Sequence, residues 1–378
     1  MRTLAVALAV AGCSSGSWQS GARILVQGDG VANTDCRGGI CQHNENTDLT
    51  SWRGALWLVH RTARSQVLGP DSALHVYRST DGGASFADLA TVEAPLDPIL
   101  QSDPPGGRDL RDPHFFTVGD TLHIKALTRL PVTSTRDSDV QTVAVETHTT
   151  DGTTWSPLAP IGPAQWSYWR PRAQAGTWYT AAYHDGDSQV TLFSSTDGVA
   201  WTRGADVYTV SADTPLETEL TFLPSGRMLA LVRMDGTDAE LLGASGRLRT
   251  AVCWSQPPYS SFDCPQVLDG VRLDGPLTIA WNGRIFVVAR KHLPTGDRKR
   301  TALYELNGTL DGGPLTIREW GELPSAGDTA YAGGVALDDH RFLVSWYSSA
   351  LYLDESWIDG ILDASDIWTA TLDLQSLQ

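Results

Sequence analysis

The sequence predicts an all-β fold, a six-bladed β-propeller made of four-stranded antiparallel blades. Three observations favour this fold. The chain of 378 residues contains 36 Gly, 20 Pro and 14 Trp, a composition typical of turn-rich β proteins. We find no long stretch with apolar residues at helical spacing. A strand–turn–strand pattern recurs six times, with about 55 residues from one copy to the next.

Each copy of the repeat has an apolar strand, a tight turn and a second strand with alternating apolar residues. The turns are 65, 57, 50, 57 and 57 residues apart. A β-sandwich would not need six copies of one unit, and a β-helix would need a shorter period. The copies are 49–61, 115–129, 172–184, 221–233, 278–290 and 334–347, with turns at Gly54, Gly119, Gly176, Gly226, Gly283 and His340.

A second motif follows three of these copies. The stretch 79–86, Ser-Thr-Asp-Gly-Gly-Ala-Ser-Phe, matches the Asp-box pattern, and 149–155 and 195–201 match a version one residue shorter. Its aspartate bonds turn amides, its glycine permits positive φ, and its aromatic ring packs between strands. We expect each motif to join the third and fourth strands of a blade.

The N-terminus predicts export. Arg2 is followed by an apolar stretch, small residues and Cys13. The sequence Val-Ala-Gly-Cys over 10–13 resembles a bacterial lipobox; an ordinary signal peptide is the alternative. We expect a signal peptide over 1–12, a lipidated Cys13 and tether with a short disulfide loop over 13–42, and the propeller over 43–378. The serines after Cys13 favour the outer membrane of a bacterial envelope, at its periplasmic or surface face.

Export makes disulfides plausible among the four remaining cysteines. These are Cys36, Cys41, Cys253 and Cys264. Three connectivities are possible, and pairing within each close pair is the simplest. Neither pair has zinc-site spacing, so we expect no metal and no cofactor. The net charge of −16 argues against nucleic acid as a partner, and the lipid anchor is the only membrane contact we expect.

Polar residues recur at both ends of the repeats. In a propeller, the first strand of a blade runs along the central channel and the second returns beside it. The start of the first strand and the end of the second therefore lie on one face. Residues that this geometry brings to one channel mouth include Asp48, Arg61, Arg111, Asp112, Arg170, Glu217, Arg233, Asp274, Arg290, Asp328 and Tyr331.

These motifs resemble the sialidase (neuraminidase) superfamily, in particular a divergent group of Asp-box proteins. The stretch from Glu217 to Arg233 resembles the family segment with the glutamate partner of the nucleophile and one carboxylate-binding arginine. Arg290 matches another arginine, and Tyr331 matches the nucleophilic tyrosine. The resemblance implies that Tyr331 attacks the sugar while Glu217 takes its proton, with Glu219 as the alternative if the register slips.

The N-terminal part departs from the family pattern. The usual Arg-Ile-Pro motif is missing, and Asn-Glu-Asn-Thr-Asp-Leu over 44–49 stands near its position. Arg61 or Arg111 is then the candidate for the first arginine of the triad. Asp48 and Asp112 are the candidates for the acid, and Arg170 is a further substrate-binding candidate beside three aromatic residues.

The sequence therefore predicts a secreted glycoside hydrolase of sialidase-like type that releases a terminal, acidic sugar from a glycan. A tyrosine nucleophile suits such a sugar, because a carboxylate nucleophile would be repelled by the carboxylate on the anomeric carbon. Two alternatives stay open. One is a hydrolase of neutral sugars that uses two carboxylates, and the other is a non-catalytic surface propeller that binds glycan or protein.

Overall fold

The computed structural model describes residues 18–67, 69–95, 108–130, 141–184, 188–209, 213–235, 248–295 and 297–377. The predicted signal peptide and Cys13 lie outside these residues. Within the described ranges, no helix has the length and apolarity needed to cross a membrane.

The described chain forms an all-β fold of propeller type, built from antiparallel sheets. Four sheets stand by themselves. They contain β6–β9 (Asp109–Val118, Thr121–Leu130, Gln141–Thr149, Ala159–Pro160), β10–β14 (Trp166–Tyr168, Arg172–Gln174, Thr177–His184, Gln189–Ser195, Thr202–Thr209), β15–β18 (Thr214–Phe222, Met228–Asp235, Arg249–Ser255, Asp263–Asp269) and β19–β22 (Asp274–Trp281, Arg284–His292, Lys299–Gly308, Leu315–Leu323).

The remaining sheet has eight strands and two halves. One half contains β2–β5 (His43–Trp52, Ala55–Ala63, Ala73–Ser79, Ala87–Glu93). The other contains β23–β25 (Thr329–Ala336, Arg341–Ser349, Ser365–Asp373) and β1 (Gln19–Val26). A single parallel pair, His43 with Ser365, joins the halves. A short helix α1 (Trp357–Leu362) lies between β24 and β25, and a 3₁₀ turn (Leu374–Ser376) follows β25.

The predicted repeats are confirmed. Each copy contains a hairpin whose first strand we call the inner strand: β2, β6, β11, β15, β19 and β23. Five of the six turns place their glycine at positive φ, from 56° at Gly119 to 82° at Gly226. A β-carbon is disfavoured at such angles, which explains the recurrence of glycine there. Residues from all six inner strands line one cavity of about 490 Å³, the central channel.

Apolar residues of neighbouring sheets pack together to form the core. Trp57 and Val76 of the first half-sheet, for example, share a buried cluster with Leu110 and Ile124 of the next sheet. Comparable clusters join each following sheet to its neighbour and the last strands to the first half-sheet. This packing fixes the sheets around the channel, so that residues at the starts of the inner strands face one another.

The three aspartate turns lie where predicted, between β4 and β5, β8 and β9, and β13 and β14. In each turn the aspartate carboxylate accepts hydrogen bonds from backbone amides two to four residues later; these aspartates are Asp81, Asp151 and Asp197. No residue of these turns lines the channel, so their contribution is to the stability of the fold.

The local disulfide pairing is confirmed, with bonds Cys36–Cys41 and Cys253–Cys264. The predicted start of the folded domain at residue 43 is wrong. Residues 19–26, assigned to the tether, form β1 and pair with β25 along its outer edge. The C-terminal segment supplies only three strands to its half of the sheet, so an N-terminal strand covers the exposed edge.

Candidate active site

Every inner strand contains one extra residue at an equivalent position near its start. We call the layer of the channel formed by these positions the bulge level. On β2, Glu45 and Asp48 pair with Arg61 and Val59, so that β2 has one residue more than β3 between these pairs. Such a β-bulge re-aims side chains and is common beside active sites. Equivalent bulges lie at Arg111–His114, Pro215–Thr218, Asp274–Leu277 and Ala330–Gly333, and between Tyr168 and Arg172 where β10 gives way to β11.

The bulges hold several residues in left-handed backbone conformations. Asn46, Asp112, Gly275 and Tyr331 have φ values of 49°, 48°, 55° and 50°. For residues other than glycine, such conformations cost roughly 1–3 kcal/mol each and persist where the surroundings enforce them. Two predicted catalytic residues, Asp112 and Tyr331, thus occupy equivalent strained positions on different inner strands.

The Tyr331 side chain meets Glu217 and Arg233 at this level. The Tyr331 hydroxyl donates to Glu217 Oε1 at 2.5 Å. Arg233 Nη1 donates to both carboxylate oxygens of Glu217, at 2.9 and 2.7 Å, and to the Tyr331 hydroxyl at 3.2 Å. Glu217 is 5% exposed, whereas Tyr331 is only partly buried. Tyr331 is therefore more exposed than Glu217 and Arg233.

Burial sets the protonation states of this pair. It raises the pKa of Glu217, although Arg233 and the Tyr331 hydroxyl oppose the rise. Burial, followed by the charge of Glu217, also holds the pKa of Tyr331 well above its ordinary value. The phenol is therefore neutral, and its hydrogen bond leads to a carboxylate with increased proton affinity. This arrangement suits proton transfer from an attacking phenol.

Arg290 completes what we call the Tyr331 cluster: Tyr331, Glu217, Arg233 and Arg290. Its guanidinium lies 5.3 Å from the centre of the Tyr331 ring. It donates to Asp328 Oδ1 at 2.7 Å and to the Tyr347 hydroxyl at 2.8 Å. The indole of Trp357, in α1, donates to the same Asp328 oxygen at 2.8 Å. The segment around α1 therefore lies against the site.

Carboxylates balance the positive charges of both arginines of the cluster. Arg233 donates to Asp235 Oδ1 at 2.7 Å, and Asp274 Oδ1 lies 3.4 Å from its Nε. Arg272 contacts both of these aspartates. Asp274 is fully buried; burial would raise its pKa, but Arg233 and Arg272 hold the pKa well below its ordinary value. The arginines are thus fixed in position before any substrate arrives.

Asp112 lies on the same level. Its Oδ1 accepts a 2.5 Å hydrogen bond from Asn46 Nδ2, the side chain at the bulge of the neighbouring strand. Burial raises the pKa of Asp112, partly opposed by Lys125 and Arg111. The charge of Asp112 in turn contributes to the raised pKa of Tyr331. Asp112 is therefore near the phenol and prone to carry a proton.

Asp48, Arg170 and Glu219 lie one level deeper and form, with Arg172, what we call the channel network. Asp48 Oδ2 accepts from the Phe115 amide at 2.8 Å, and its Oδ1 lies 3.4 Å from Arg170 Nη2. Arg170 also contacts Glu219, which Arg172 binds from the other side. Asp48 and Arg170 line the cavity, and neither contacts the Tyr331 cluster through its side chain.

Arg61 and Arg111 are bound elsewhere. Arg61 is fully buried; its Nη2 lies 2.9 Å from Asp109 and its Nη1 lies 3.2 Å from Glu45. Arg111 Nε donates to the other oxygen of Asp109 at 2.6 Å. The structure thus brings together Tyr331, Glu217, Arg233 and Arg290 with Asp112 nearby, and places Arg61, Arg111, Asp48 and Arg170 in separate ion-pair networks.

Sequence reasoning missed Asn46, Asp235, Arg272 and Trp357. Asp235 stands two residues after Arg233 on β16, a spacing that puts both side chains on one face of the strand. Arg272 stands two residues before Asp274, the first residue of β19. The position of the Asn46 side chain depends on the bulge in β2, which the sequence pattern does not predict. Among the described residues, the donor atoms that converge closely enough to hold a metal ion belong to His123, Glu146 and His148, outside this site.

No protein-family model matches the chain, and no curated protein sequence does either. Solved structures do match it. A Dyadobacter fermentans protein described as of unknown function has a TM-score of 0.65 and 16% identity, over 94% of this chain and 98% of that one. Trypanosoma rangeli sialidase, in complex with the inhibitor DANA, has a TM-score of 0.63 and 12% identity, over 90% and 56%.

A third match is an alpha-L-arabinanase of Penicillium chrysogenum complexed with arabinobiose, with a TM-score of 0.61 and 15% identity over 94% of this chain and 99% of that one. At such identities the likeness concerns the fold. The resemblance to sialidases seen in the sequence is confirmed at that level, together with a likeness to a propeller named for a different sugar.

Proposed function

We propose that this chain is a sialidase-like glycoside hydrolase that releases a terminal sugar from a glycan. The observation that carries the proposal is the contact of Tyr331 with Glu217 and Arg233 at the bulge level of the channel. A partly exposed phenol bonded to a buried carboxylate is the nucleophile–base pair that sialidases use in place of two carboxylates. Structural neighbours named as a sialidase and an arabinanase support a glycan substrate.

The proposed reaction has two steps. The Tyr331 oxygen attacks the anomeric carbon while Glu217 accepts the phenolic proton, and Asp112 gives its proton to the departing glycosidic oxygen. Water then attacks the same carbon, Asp112 takes a proton from it, and Glu217 returns a proton to Tyr331. Asp112 is preferred to Asp48 as the acid because it lies on the level of Tyr331; burial raises the pKa of both carboxyls and suits either to give a proton.

An acidic sugar is the favoured substrate. Arg233 donates to the Tyr331 hydroxyl and Arg290 lies over the Tyr331 ring, and a guanidinium binds a carboxylate through two parallel hydrogen bonds. One observation favours a neutral sugar instead. Each of these arginines already has carboxylate partners, Glu217, Asp235 and Asp274 for Arg233 and Asp328 for Arg290. If the substrate is a neutral sugar, two carboxylates of the site would perform the hydrolysis in place of Tyr331.

A panel of 4-methylumbelliferyl glycosides that includes sialosides tests the proposal. We expect release from the sialoside, and a loss of about 10³-fold in kcat for Tyr331→Phe. Tyr347→Phe is the matched control, because that phenol bonds Arg290 and Asp328 but not Glu217. Turnover of neutral glycosides alone, unaffected by Tyr331→Phe, would establish the second candidate. Saturable glycan binding without any turnover would contradict both and leave a binding module.

The pH profile adds a second test. Glu217 must be ionised to accept the proton, and burial raises its pKa. We therefore expect kcat/KM, which reports the free protein, to fall on acidification at a pH above the ordinary range of a glutamate. An acid limb below pH 4 would contradict the role of Glu217.

We further propose that the propeller has six blades, with the halves of the eight-stranded sheet counted separately. The single pair His43–Ser365 between the halves supports this count. The Ser/Thr-x-Asp turns are then Asp boxes of three blades.

We also propose export as a lipoprotein anchored through Cys13. Cys13→Ser is expected to move the protein from the membrane fraction to the soluble fraction; unchanged fractionation would contradict the anchor.

A further inference from the structure

Three side chains of the second sheet converge outside the Tyr331 cluster. His123 Nδ1 lies 2.6 Å from Glu146 Oε1, and His148 Nδ1 lies 3.1 Å from the same oxygen. One ligand atom from each residue lies within 4.8 Å of the others. The three come from one face of the β7–β8 ladder, where His123 and His148 are directly opposite and Glu146 is two residues away.

The burial of Glu146 needs compensation. Its side chain is 2% exposed, and within the described ranges no lysine or arginine forms an ion pair with it. Lys125, opposite Glu146 on the ladder, instead donates to the carbonyl oxygens of Asp112 and Tyr168. A buried carboxylate supported only by two imidazole rings lacks a permanent cation, and burying an unpaired charge is costly.

We infer that His123, Glu146 and His148 form a binding site for a divalent transition-metal ion of the zinc type. Two imidazole nitrogens and a carboxylate oxygen are ligands that zinc prefers, at about 2.0–2.2 Å each. Ligand atoms around such a metal lie about 3.4 Å apart, so the His123–Glu146 contact must lengthen by about 0.8 Å and the His148–Glu146 contact by about 0.3 Å. The second adjustment falls on the more exposed residue, His148. Its side chain is 41% exposed, so solvent can supply the fourth ligand.

The metal would brace the contact between two sheets. The His123 ring stacks on Phe116 with 4.8 Å between ring centres, and Phe116 meets Trp178 and Trp201 of the third sheet at 5.3 and 6.1 Å. Fixing His123 therefore fixes the aromatic group through which the sheets touch. Since none of these residues contacts the Tyr331 cluster, the site is independent of the proposed hydrolase activity.

Titration of tag-free, EDTA-treated full-length protein with zinc chloride tests the inference. We expect one zinc per chain by calorimetry, and His148→Gln to weaken binding at least about tenfold, because one of three ligands is removed. His148 is exposed enough that this change leaves folding intact, which the melting temperature in EDTA checks. His340→Gln is the matched control, since that surface histidine lies 3.5 Å from Asp338 and 4.0 Å from Asp373 without a second histidine nearby.

Binding that is lost in His148→Gln and kept in His340→Gln supports the site. Substitution with cobalt adds a readout that stability alone does not move, because visible absorption reports the ligand set directly. Two results would overturn the inference. One is no stoichiometric zinc in the wild-type protein. The other is equal zinc affinity in the wild type and His148→Gln.

Discussion

Two levels of the central channel contain the same kinds of charged residue and use them differently. At the bulge level, Tyr331 is partly exposed and contacts Glu217 and Arg233. The second level, which we call the cavity level, is that of the channel network. There Glu219 is fully buried between Arg170 and Arg172, and Asp48 is held by a backbone amide and Arg170. The first level contains a partly exposed tyrosine, whereas the second consists of ion pairs, of which Asp48, Arg170 and Arg172 line the cavity.

The backbone distinguishes the levels as clearly as the side chains do. Asp112 and Tyr331 are held at positive φ, and neither Asp48 nor Glu219 is. Strain of this kind is retained where function requires it, while closed ion pairs persist for structural reasons. A cluster of charges in a channel thus becomes a candidate active site when it combines strained backbone with an accessible group, and the variants below test that distinction.

The largest contrast is expected between two glutamates of one strand. Glu217→Gln keeps the shape but removes the proton acceptor of Tyr331, so we expect kcat to fall by about 10³-fold. Arg233 keeps Asp235 and Asp274 as anionic partners, so we expect this variant to lose less stability than Glu219→Gln. Glu219→Gln leaves Arg170 and Arg172 without their shared anion in a buried site, so we expect it to lower the free energy of unfolding by about 3–5 kcal/mol. Glycoside turnover and urea denaturation measure the two effects.

This pair also decides between the two registers that the sequence left open. If Glu219→Gln abolished turnover in a fully folded protein while Glu217→Gln retained it, the base would be at the cavity level. The bulge between Pro215 and Thr218 would then not separate reactive from structural residues.

Glu45 tests whether an acid at the bulge level can contribute to stability, as the ion pairs of the cavity level do. Burial raises the pKa of Glu45 to about 7, opposed by Arg61. The folded state therefore binds this proton more tightly than the unfolded state, and the stabilisation is present at acidic pH and lost as pH rises from about 4.5 to about 7. The expected loss is at most roughly 3 kcal/mol.

The measurement is the free energy of unfolding by urea across this pH range, for the wild type and for Glu45→Gln. The variant cannot titrate at this position, so its stability should vary less with pH over the window. Identical slopes of the free energy of unfolding against pH in the two proteins would mean that Glu45 has an ordinary pKa. Glu45 would then give no information on the difference between the two levels.

Asp112 and Asp48 form the next pair. Asp112→Asn should lower kcat about 10²-fold for alkyl glycosides, whose leaving group needs a proton, and much less for aryl glycosides. Asp48→Asn should lose stability, because Arg170 loses an anionic partner, without this dependence on the leaving group. The ratio of alkyl to aryl turnover is the measurement. A leaving-group effect in Asp48→Asn alone would move the acid to the cavity level.

Much of the fold was predictable, because each hairpin carries its own signal. A turn such as Gly226, at φ 82°, requires glycine whatever surrounds it. Strand β1 was missed because its partner among the described strands is β25, more than 300 residues away, and five of its eight residues are exposed, so the segment has no apolar face of its own. Local pattern cannot reveal a strand that is stabilised by a distant edge.

The site was only partly predictable for a related reason. Tyr331, Glu217, Arg233 and Arg290 could be placed near one another because their positions in the repeats put them on one face. Arg61 occupies the same position in its repeat, yet Glu45 and Asp109 bind its guanidinium completely. Which arginines remain near the phenol depends on bulge geometry and on the partners that other strands provide, and neither is encoded locally.

The smallest expected effect concerns the glycine that gives Tyr331 its space. Gly275 is at φ 55°, and a β-carbon there would lie 2.9 Å from the Tyr331 ring. Gly275→Ala should therefore displace the phenol from Glu217 and lower kcat by about tenfold, since misplacing a reacting group is costly. Gly270→Ala is the control: it has a similar constraint, with φ 83°, but open space around its β-carbon. Equal kcat in the two variants would show that the position of the Tyr331 ring does not limit turnover, and the bulge level would lose the feature that sets it apart from the cavity level.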